Sequence, residues 1–349
     1  MSELPLLAIT MGDPAGIGPE VVVKALASGE LYTLCRPLVI GDAGILREAA
    51  AVSGLTTPIR SVDEPQAAPY DGAAIELLDL ANVDRSTWRW GQLSANCGQA
   101  AMDYILRAME LTDSKVAAGI VTAPINKEAT SLAGHKELGH MELFGRVYRA
   151  ANQATMLVSG NLRCVHLSTH YSLREALDRI TRERVLARLE TTHHDFRRWG
   201  MAAPRIAVSG LNPHNGEGGL MGTEEVEILA PAVADARARG IDARGPFPGD
   251  SVFVRAIRGE FDAVIALFHD QGHIPVKVHG FEESVSVALG LPIVRTSVDH
   301  GTAFDIAGSG KADARSMAES VRVAARICAG TWLASPLTPD PTPHVGSGG

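Results

Sequence analysis

The sequence has no apolar run near the ~20 residues that a membrane-spanning helix requires. It also lacks an excess of positive charge, because 32 Lys and Arg residues stand against 40 Asp and Glu residues and give a net charge of −8. Such a chain offers no electrostatic surface to nucleic acid or to an anionic membrane. An anionic ligand would therefore have to be captured by a local cluster of cations.

Cysteine is scarce, and no C-x-x-C pair is present. The four cysteines lie far apart and are predicted to be reduced, mostly buried thiols: Cys35, Cys97, Cys164 and Cys328. No secretory signal is expected ahead of the first apolar segment, residues 4–11. With 46% hydrophobic and 21% charged residues, the composition is that of a globular protein, and a cytoplasmic location is predicted.

The usual nucleotide-binding fingerprints are absent. The pattern G-x-G-x-x-G fails at its third glycine in both glycine-rich segments, where Val21 and Asp313 stand. The pair Gly310-Lys311 is not a phosphate loop, because Ala312 replaces the required Ser or Thr. A standard Rossmann site is therefore not expected. Residues 10–20 are instead predicted to form a strand, a tight turn and a helix start that presents free N–H groups to an anion.

Apolar runs alternate with helix-like segments, which predicts an α/β fold with a largely parallel open sheet and helices on both faces. Strands are predicted over residues 4–11, 37–40, 116–122, 154–158, 162–169, 205–209, 263–268 and 285–297. Helices are predicted over residues 18–27, 43–53, 95–111, 173–199, 224–239 and 312–329. Residues 56–90 are expected to be irregular, and residues 335–349 to be a disordered tail. The length of 349 residues suits about two domains.

Polar residues concentrate between apolar runs in residues 262–308. His269 and Asp270 follow a predicted buried strand, where open α/β sheets bind ligands. Gly272 is expected to permit a sharp turn, and Pro275 argues against a helix that would pair His269 with His273. The polar groups that follow are Lys277, Arg295 and the loop 299–302. This density predicts a functional site rather than a core.

Three of the 12 histidines share one kind of position, just beyond a predicted buried strand: His170, His214 and His269. Such strand ends can meet in one crevice, and three neutral imidazoles leave an open position on a divalent metal. A single histidine is more often structural, but three in matching positions predict a metal site. His193 and His194 lie in a charged helical segment and are predicted to be solvated.

Five segments together resemble one enzyme family: TMGDPAGIGPE (10–20), TAPINKEA (122–129), GLNPHNGEGGLMGTEE (210–225), FHDQGHIPVK (268–277) and LGLPIVRTSVDHGTAFDIAG (289–308). They resemble 4-hydroxythreonine-4-phosphate dehydrogenase of pyridoxine and pyridoxal phosphate biosynthesis, over residues 4–330. The resemblance implies a two-domain fold similar to isocitrate and isopropylmalate dehydrogenases. It also implies a metal-dependent homodimer that oxidises a secondary alcohol with NAD(P), after which the β-keto acid loses CO₂. The expected domains are residues 1–124 with 296–334, carrying the cofactor loop, and residues 125–295, carrying the metal and substrate site.

The resemblance implies the same metal ligands that the strand positions select: His170, His214 and His269. In the family the third ligand comes from the neighbouring subunit, so a shared active site is expected. The ion is expected to be Zn, Mg, Co or Mn, which would lower the pKa of a bound hydroxyl and stabilise an enolate. The candidate catalytic residues are Lys277, Asp270 and Lys127, the last for proton transfer or carboxylate binding.

Substrate contacts are implied at His140, Lys277 and Arg295, and the two cations suit a phosphate or carboxylate. Two further contacts depart from the family: Met141 stands where threonine is usual, and Ser286 where asparagine is usual. A hydrogen-bonding site discriminates strongly against a mismatched ligand. The resemblance implies 4-hydroxythreonine 4-phosphate as the substrate. Because these two polar contacts differ, threonate or erythronate 4-phosphate and a dihydroxy-cyclohexadiene dicarboxylate are the alternatives.

Residues 300–308 resemble the adenosine-binding loop of isopropylmalate dehydrogenases, in which an acidic residue followed by Ile goes with NAD. Asp305 and Ile306 occupy those places. A carboxylate can accept the ribose hydroxyls and repels a 2′-phosphate, so NAD is the predicted cofactor. The residues expected to contact it are His300, Gly301, Thr302, Ala303, Asp305 and Ile306.

Two other classes of protein stay open at this point. A metal-dependent hydrolase would need only three histidines and a bound water. A metabolite-binding protein without activity would be consistent with the changes at Met141 and Ser286. The loop that resembles an adenosine-binding loop argues against a hydrolase. An assay for NADH formation distinguishes an active dehydrogenase from an inactive metabolite-binding protein.

Overall fold

The structure, a computed structural model, describes residues 3–137 and 139–332, so the predicted tail lies outside the described part. The chain divides into two compact units. The first unit comprises residues 3–155 and 281–332, and the second comprises residues 156–280. The predicted α/β fold with a large open, mostly parallel sheet is confirmed.

The strands are β1 (Leu6–Thr10), β2 (Arg36–Gly41), β3 (Ile59–Ser61), β4 (Ile75–Asp79), β5 (Gly119–Thr122), β6 (Ala154–Ser159), β7 (Leu162–His166), β8 (Arg205–Ser209), β9 (Asp242–Phe247), β10 (Ala263–Ala266), β11 (Val285–Leu289) and β12 (Val294–Val298). The helices are α1 (Gly18–Ala27), α2 (Ala43–Val52), α3 (Ala95–Asp113), α4 (Lys127–Leu132), α5 (His140–Val147), α6 (Leu173–Asp178), α7 (Arg182–Arg198), α8 (Ala230–Ala238), α9 (Val252–Ile257), α10 (His269–His279) and α11 (Arg315–Cys328). Shorter 3₁₀ or π segments are Glu30–Thr33, Pro65–Ala67, Pro213–Gly219 and Glu225–Leu229.

In the first unit the strand order is β3-β4-β2-β1-β5-β12-β11. All neighbours are parallel except β11, which runs antiparallel to β12. Strands such as β1 and β5 are buried along their whole length, which explains their continuous apolar sequences. Leu7, Ile9, Val22, Leu38 and Ile120 belong to the core of this unit.

In the second unit the order is β6-β7-β10-β8-β9, and only β6 is antiparallel to its neighbour. The carboxyl ends of the adjacent parallel strands β7, β10 and β8 therefore lie along one edge. Leu162, Cys164, Phe261 and Val264 form part of the core beneath them.

Short polar side chains fix several helix starts. Asp42 accepts hydrogen bonds from the N–H groups of Gly44 and Ile45 at the start of α2. Asn126 does the same for α4, and Ser172 forms a capping box with Glu175 at α6. Such side chains satisfy N–H groups that have no partner within the helix. They place α4 and α6 directly after turns that follow β5 and β7.

Three expectations from the sequence are corrected by the structure. Residues 285–297 form two antiparallel strands instead of one, because the chain turns at Gly290, where φ is +75°. Residues 173–199 form two helices, α6 and α7, because Thr181 caps a new start. Residues 56–90 contain β3 and β4, which are too short, and too closely surrounded by prolines, to stand out by periodicity.

The turn expected at His269–Gly272 is a helix start, and α10 continues through Pro275. A Cβ at Gly272 would lie 2.4 Å from His166 Nε2, so the glycine serves close packing rather than a turn. The rings of His269 and His273 stack with centroids 3.6 Å apart, as helical spacing allows. Packing of the buried Gly272 and Val276 against the strands outweighs the unfavourable proline.

The division into units also differs from the expected boundaries at 124/125 and 295/296. Residues 125–155 belong to the first unit because α4 packs against α3. Residues 281–295 belong there because β11 pairs with β12, and β12 pairs with β5. Packing between helices decides the first boundary, and pairing between strands distant in sequence decides the second.

Among the described helices, none has the length and apolar character needed to cross a membrane. All four cysteines are free thiols, of which Cys35, Cys97 and Cys164 are buried and Cys328 is half-buried.

Candidate functional site

Arg295 is the most deeply buried cation among the predicted substrate contacts. It lies on β12, its exposed fraction is 3%, and its Nη2 donates to Thr122 Oγ1 at 2.7 Å. Its Nη1 lies 3.9 Å from Met141 Sδ, and Nε has no hydrogen-bond partner. Burial lowers the pKa of Arg295 to about 9, so the guanidinium stays charged at neutral pH. In the described part of the chain no acidic side chain forms an ion pair with it, and a buried charge of this kind calls for an anionic ligand.

His140 and Lys127 lie in the same region of the first unit. His140 begins α5, and its buried Nε2 has no hydrogen-bond partner. Burial, followed by the charges of Arg295 and Lys127, holds the pKa of His140 well below its usual range. The imidazole is therefore neutral at pH 7 and offers one N–H donor beside two cations. This combination suits a phosphate or a carboxylate.

Four of the predicted substrate residues lie together in the first unit, beside Lys127. Ser286 lies opposite Ser297 in the β11–β12 ladder, and Ser297 lies beside Thr122 in the β12–β5 ladder. Paired residues in neighbouring strands point to the same face, so Ser286 shares a face with Arg295. We name His140, Met141, Ser286 and Arg295, together with Lys127, the anion site.

Lys277 and Asp270 belong to the second unit, on α10. Lys277 is half-buried in the last turn of that helix. Asp270 is exposed in the first turn, and its Oδ1 lies 2.6 Å from Nδ1 of His269. A carboxylate on Nδ1 favours the tautomer whose Nε2 is free to bind a metal.

The three predicted metal ligands follow the carboxyl ends of β7, β8 and β10. His170 and His269 follow adjacent strands, and their ring centroids lie 6.1 Å apart. His214 follows β8, the next strand, and its Nδ1 lies 3.2 Å from Glu217. In the part of the chain that the structure describes, no group of three or more His, Cys, Asp or Glu side chains is arranged to hold an ion. The donor chemistry suits a divalent metal, and one chain by itself brings two of the three rings close together.

His214 lies in a strained loop. The backbone is left-handed from His214 to Gly218, including the non-glycine residues Asn215 and Glu217. Each such residue costs about 1–2 kcal/mol, and strain of this kind is typical of functional loops. The buried Glu225 holds the loop by accepting the N–H groups of Leu211 and Asn212, both at 2.7 Å.

A cavity of 360 Å³ opens beside this loop. The polar side chains in its lining include those of His214, Asp250 and Gln271. Gln271 spans the strand ends, since its Nε2 donates to the Gly210 carbonyl at 2.8 Å and its Oε1 accepts from Leu267 N–H at 2.7 Å. The cavity thus gives a small ligand access to His214.

The predicted cofactor loop, residues 300–308, packs on the turn after β1. Ile17 N–H donates to the Thr302 carbonyl at 2.9 Å, and a Cβ at Gly16 would lie 2.9 Å from Thr302 Cβ. Glu20 Oε1 accepts the Gly308 N–H at 2.6 Å. The turn between β1 and α1 therefore contacts and supports the loop 300–308.

The other predicted cofactor residues stay accessible. Asp305 and Gly301 are exposed, and Ala303 and Ile306 are half-buried. His300 Nδ1 lies 3.0 Å from the Gly301 carbonyl. The exposed carboxylate of Asp305 is accessible to accept hydrogen bonds from the hydroxyls of a ribose.

Thr122 and Ser297 are contacts of the anion site that the sequence analysis did not select. Both are hydroxyl residues at the carboxyl ends of buried strands, β5 and β12. A buried hydroxyl at a strand end, inside a segment already selected for its resemblance, is the signal that could have identified them.

The fold and the anion site define the class: an α/β protein with a cluster of cations around the buried Arg295, whose chemistry suits an anionic small molecule. Residues 33–324 match the family described as pyridoxal phosphate biosynthetic protein PdxA. The D-threonate 4-phosphate dehydrogenase of Cupriavidus necator is 47% identical and aligns with 93% of this chain and 97% of that protein. The 4-hydroxythreonine-4-phosphate dehydrogenase of Desulforapulum autotrophicum is 43% identical, with 92% and 95% aligned. The crystal structure of 4-hydroxythreonine-4-phosphate dehydrogenase from Klebsiella pneumoniae has a TM-score of 0.88 at 44% identity, covering 93% of this chain and 98% of that one.

The chain therefore belongs to the PdxA family. It is an enzyme, a dehydrogenase of the kind that uses NAD(P), and the family predicted from the sequence is confirmed. The hydrolase and the inactive binding protein are not retained.

Proposed function

We propose that the protein is a homodimeric, divalent-metal-dependent dehydrogenase that oxidises a secondary alcohol of D-threonate 4-phosphate with NAD and then releases CO₂. The observation that carries this proposal is the anion site, where the buried Arg295 and the neutral His140 each keep a polar nitrogen without a partner. A phosphate or carboxylate supplies the charge and the acceptors that these groups lack.

D-threonate 4-phosphate is preferred to 4-hydroxythreonine 4-phosphate because the second molecule carries an ammonium group. The groups around Arg295 are Met141, Thr122 and the ring of Phe144, none of them a carboxylate. An ammonium brought close to Arg295 and Lys127 would be repelled. The Cupriavidus relative also bears the threonate name. 4-Hydroxythreonine 4-phosphate is the second candidate substrate. It is favoured by the family description and by the name of the Klebsiella pneumoniae enzyme.

The metal would be held by His170, His214 and His269, one of them supplied across the dimer. When bound, the ion would lower the pKa of the substrate hydroxyl and stabilise the negative charge on its oxygen. Asp270 orients His269 through the contact at Nδ1.

The reaction proposed for these residues balances as follows. The alcohol carbon gives a hydride to NAD⁺ and the hydroxyl gives up its proton, which leaves a β-keto acid. Loss of CO₂ then leaves an enolate that takes up one proton at carbon. Lys277 is proposed as the group that exchanges these protons. Lys127 is assigned to anion binding because its charge acts on His140.

The cofactor preference for NAD rests on Asp305. Its exposed carboxylate in the loop 300–308 can accept hydrogen bonds from ribose hydroxyls, and it would repel the 2′-phosphate of NADP.

The test is a substrate panel with the purified full-length protein, NAD and a divalent metal. D-threonate 4-phosphate should yield NADH and CO₂ in equal amounts. D-threonate without phosphate is the control, and its kcat/KM should be about 10- to 100-fold lower, since a hydrogen bond to a charged group is worth about 1.5–3 kcal/mol. A higher kcat/KM for 4-hydroxythreonine 4-phosphate would assign the second candidate instead. Turnover of neither phosphate ester would reject both.

A further inference from the structure

Three buried polar side chains form a row across two neighbouring strands of the first unit. β5 and β12 pair in parallel with Thr122 opposite Ser297, and Arg295 precedes Ser297 by two residues on the same strand. Because side chains alternate in a strand and paired residues share a face, all three point to one face of the sheet. Their exposed fractions are 0%, 5% and 3% for Thr122, Ser297 and Arg295.

The hydrogen bonds in this row have a definite direction. Ser297 has one hydroxyl proton, which it donates to the Thr122 carbonyl at 3.1 Å. Its oxygen can then only accept, and it does so from Thr122 Oγ1 at 2.9 Å, a shorter contact than the 3.5 Å to the Thr296 carbonyl. Thr122 has thereby used its only proton, so its lone pairs face Arg295 and accept from Nη2 at 2.7 Å.

Neutral hydroxyls thus hold Arg295 in place, whereas a carboxylate holds other arginines of this protein. Asp262, for example, holds the half-buried Arg205 through two hydrogen bonds, of 3.0 and 2.8 Å. A carboxylate partner would neutralise the guanidinium and compete with an anionic ligand. A hydroxyl fixes the orientation of the guanidinium and leaves its charge and its Nε–H for the ligand.

We infer that Thr122 is the positioning residue for Arg295, and that the Ser297-to-Thr122 chain of hydroxyls orients the guanidinium toward the phosphate or carboxylate of the substrate. This inference rests on the proposed function, because it takes the ligand of the anion site to be the substrate. It concerns binding and not the chemical step.

Thr122→Val removes the acceptor and keeps the branched shape of the side chain. One lost hydrogen bond of about 0.5–1.5 kcal/mol should raise KM about two- to tenfold with kcat nearly unchanged. Thr122→Ser should restore a KM close to that of wild type. Ser297→Ala, which frees the Thr122 proton but keeps the acceptor, should have a smaller effect than Thr122→Val.

The matched control is Thr296→Val. This threonine is fully buried beside Arg295 in the sequence, but its hydroxyl donates to the Ser320 carbonyl at 2.8 Å and not to the anion site. The variant should lower the melting temperature without changing KM. It separates loss of a buried hydroxyl from loss of arginine positioning.

Inorganic phosphate provides a second readout that needs no turnover. Its dissociation constant, measured by calorimetry on the full-length protein, should rise in Thr122→Val, return in Thr122→Ser and become unmeasurable in Arg295→Met. If Arg295→Met binds phosphate as wild type does, the anion site of the proposed function is wrong. If Arg295→Met loses phosphate while Thr122→Val keeps wild-type affinity and KM, only the positioning inference is overturned.

Discussion

Replacing Asp13 by asparagine should remove a pH dependence of stability that this carboxylate imposes on the first unit. Asp13 lies in the turn between β1 and α1 and is fully buried. Its Oδ1 accepts the Ala15 N–H at 2.8 Å, while Oδ2 has no hydrogen-bond partner. Burial raises the pKa of Asp13 from 3.8 to about 6, although hydrogen bonds from the backbone of Ala15 and Asn126 oppose the shift.

Proton linkage gives the direction in which the free energy of unfolding changes with pH. Between pH 3.8 and about 6 the folded protein binds a proton at Asp13 that the unfolded chain does not bind. The stability contributed by this group is therefore complete below pH 3.8 and is lost as the pH rises through about 6. The shift corresponds to about 3 kcal/mol of unfolding free energy at neutral pH. Asp13→Asn keeps an acceptor for Ala15 and cannot titrate, so it should gain that amount relative to wild type between about pH 4 and pH 7.

The assay is urea unfolding followed by tryptophan fluorescence at both pH values. Trp88 Nε1 donates to the Pro14 carbonyl at 3.1 Å, so the signal includes a reporter next to the turn of Asp13. Asp63→Asn is the control at an exposed carboxylate, and its effect should be small and similar at both pH values. Parallel pH profiles for wild type and Asp13→Asn would refute the reasoning, because Asp13 would then not be a buried group with a raised pKa.

Three further predictions concern the reaction. His214→Ala should abolish turnover and lower the bound metal measured by elemental analysis. The control His194→Ala, at an exposed histidine, should do neither. Unchanged metal content in His214→Ala would contradict the ligand assignment. Asp305→Lys should shift the ratio of kcat/KM for NAD over NADP toward NADP, and a wild type that prefers NADP would exclude the assignment of this loop. Met141→Thr with Ser286→Asn should raise kcat/KM for 4-hydroxythreonine 4-phosphate about tenfold or more, since two polar contacts are restored. Equal kcat/KM in wild type and the double variant would show that these positions do not set specificity.

Local patterns determined much of the fold. Buried strands such as β5, β8 and β10 are largely apolar runs, and the first turn of α1 contains Pro19 and Glu20. Both kinds of element are therefore visible in a short window of sequence. Polar residues that follow such strands mark the edge where ligands bind, which is why the positions of His170, His214 and His269 after their strands could be predicted.

Other features depend on residues that meet only in the folded chain. The helix α10 forms although Gly272 and Pro275 both disfavour a helix locally. It packs closely against His166 of β7, and a window of sequence around α10 does not contain that strand. The left-handed backbone around His214 is likewise held by Glu225, eleven positions further on, and no local pattern predicts it.

The sequence by itself determined which residue types lie at the ends of the strands, and it was sufficient for the family, the α/β class and the candidate residues. Only the tertiary structure decided what surrounds each of them. Arg295 meets Thr122 across a strand pair 173 positions apart in sequence, and burial together with neighbouring charge makes His140 neutral. The reason is physical: propensity and periodicity act within one turn or strand, whereas desolvation and hydrogen-bond partners depend on which strands become neighbours.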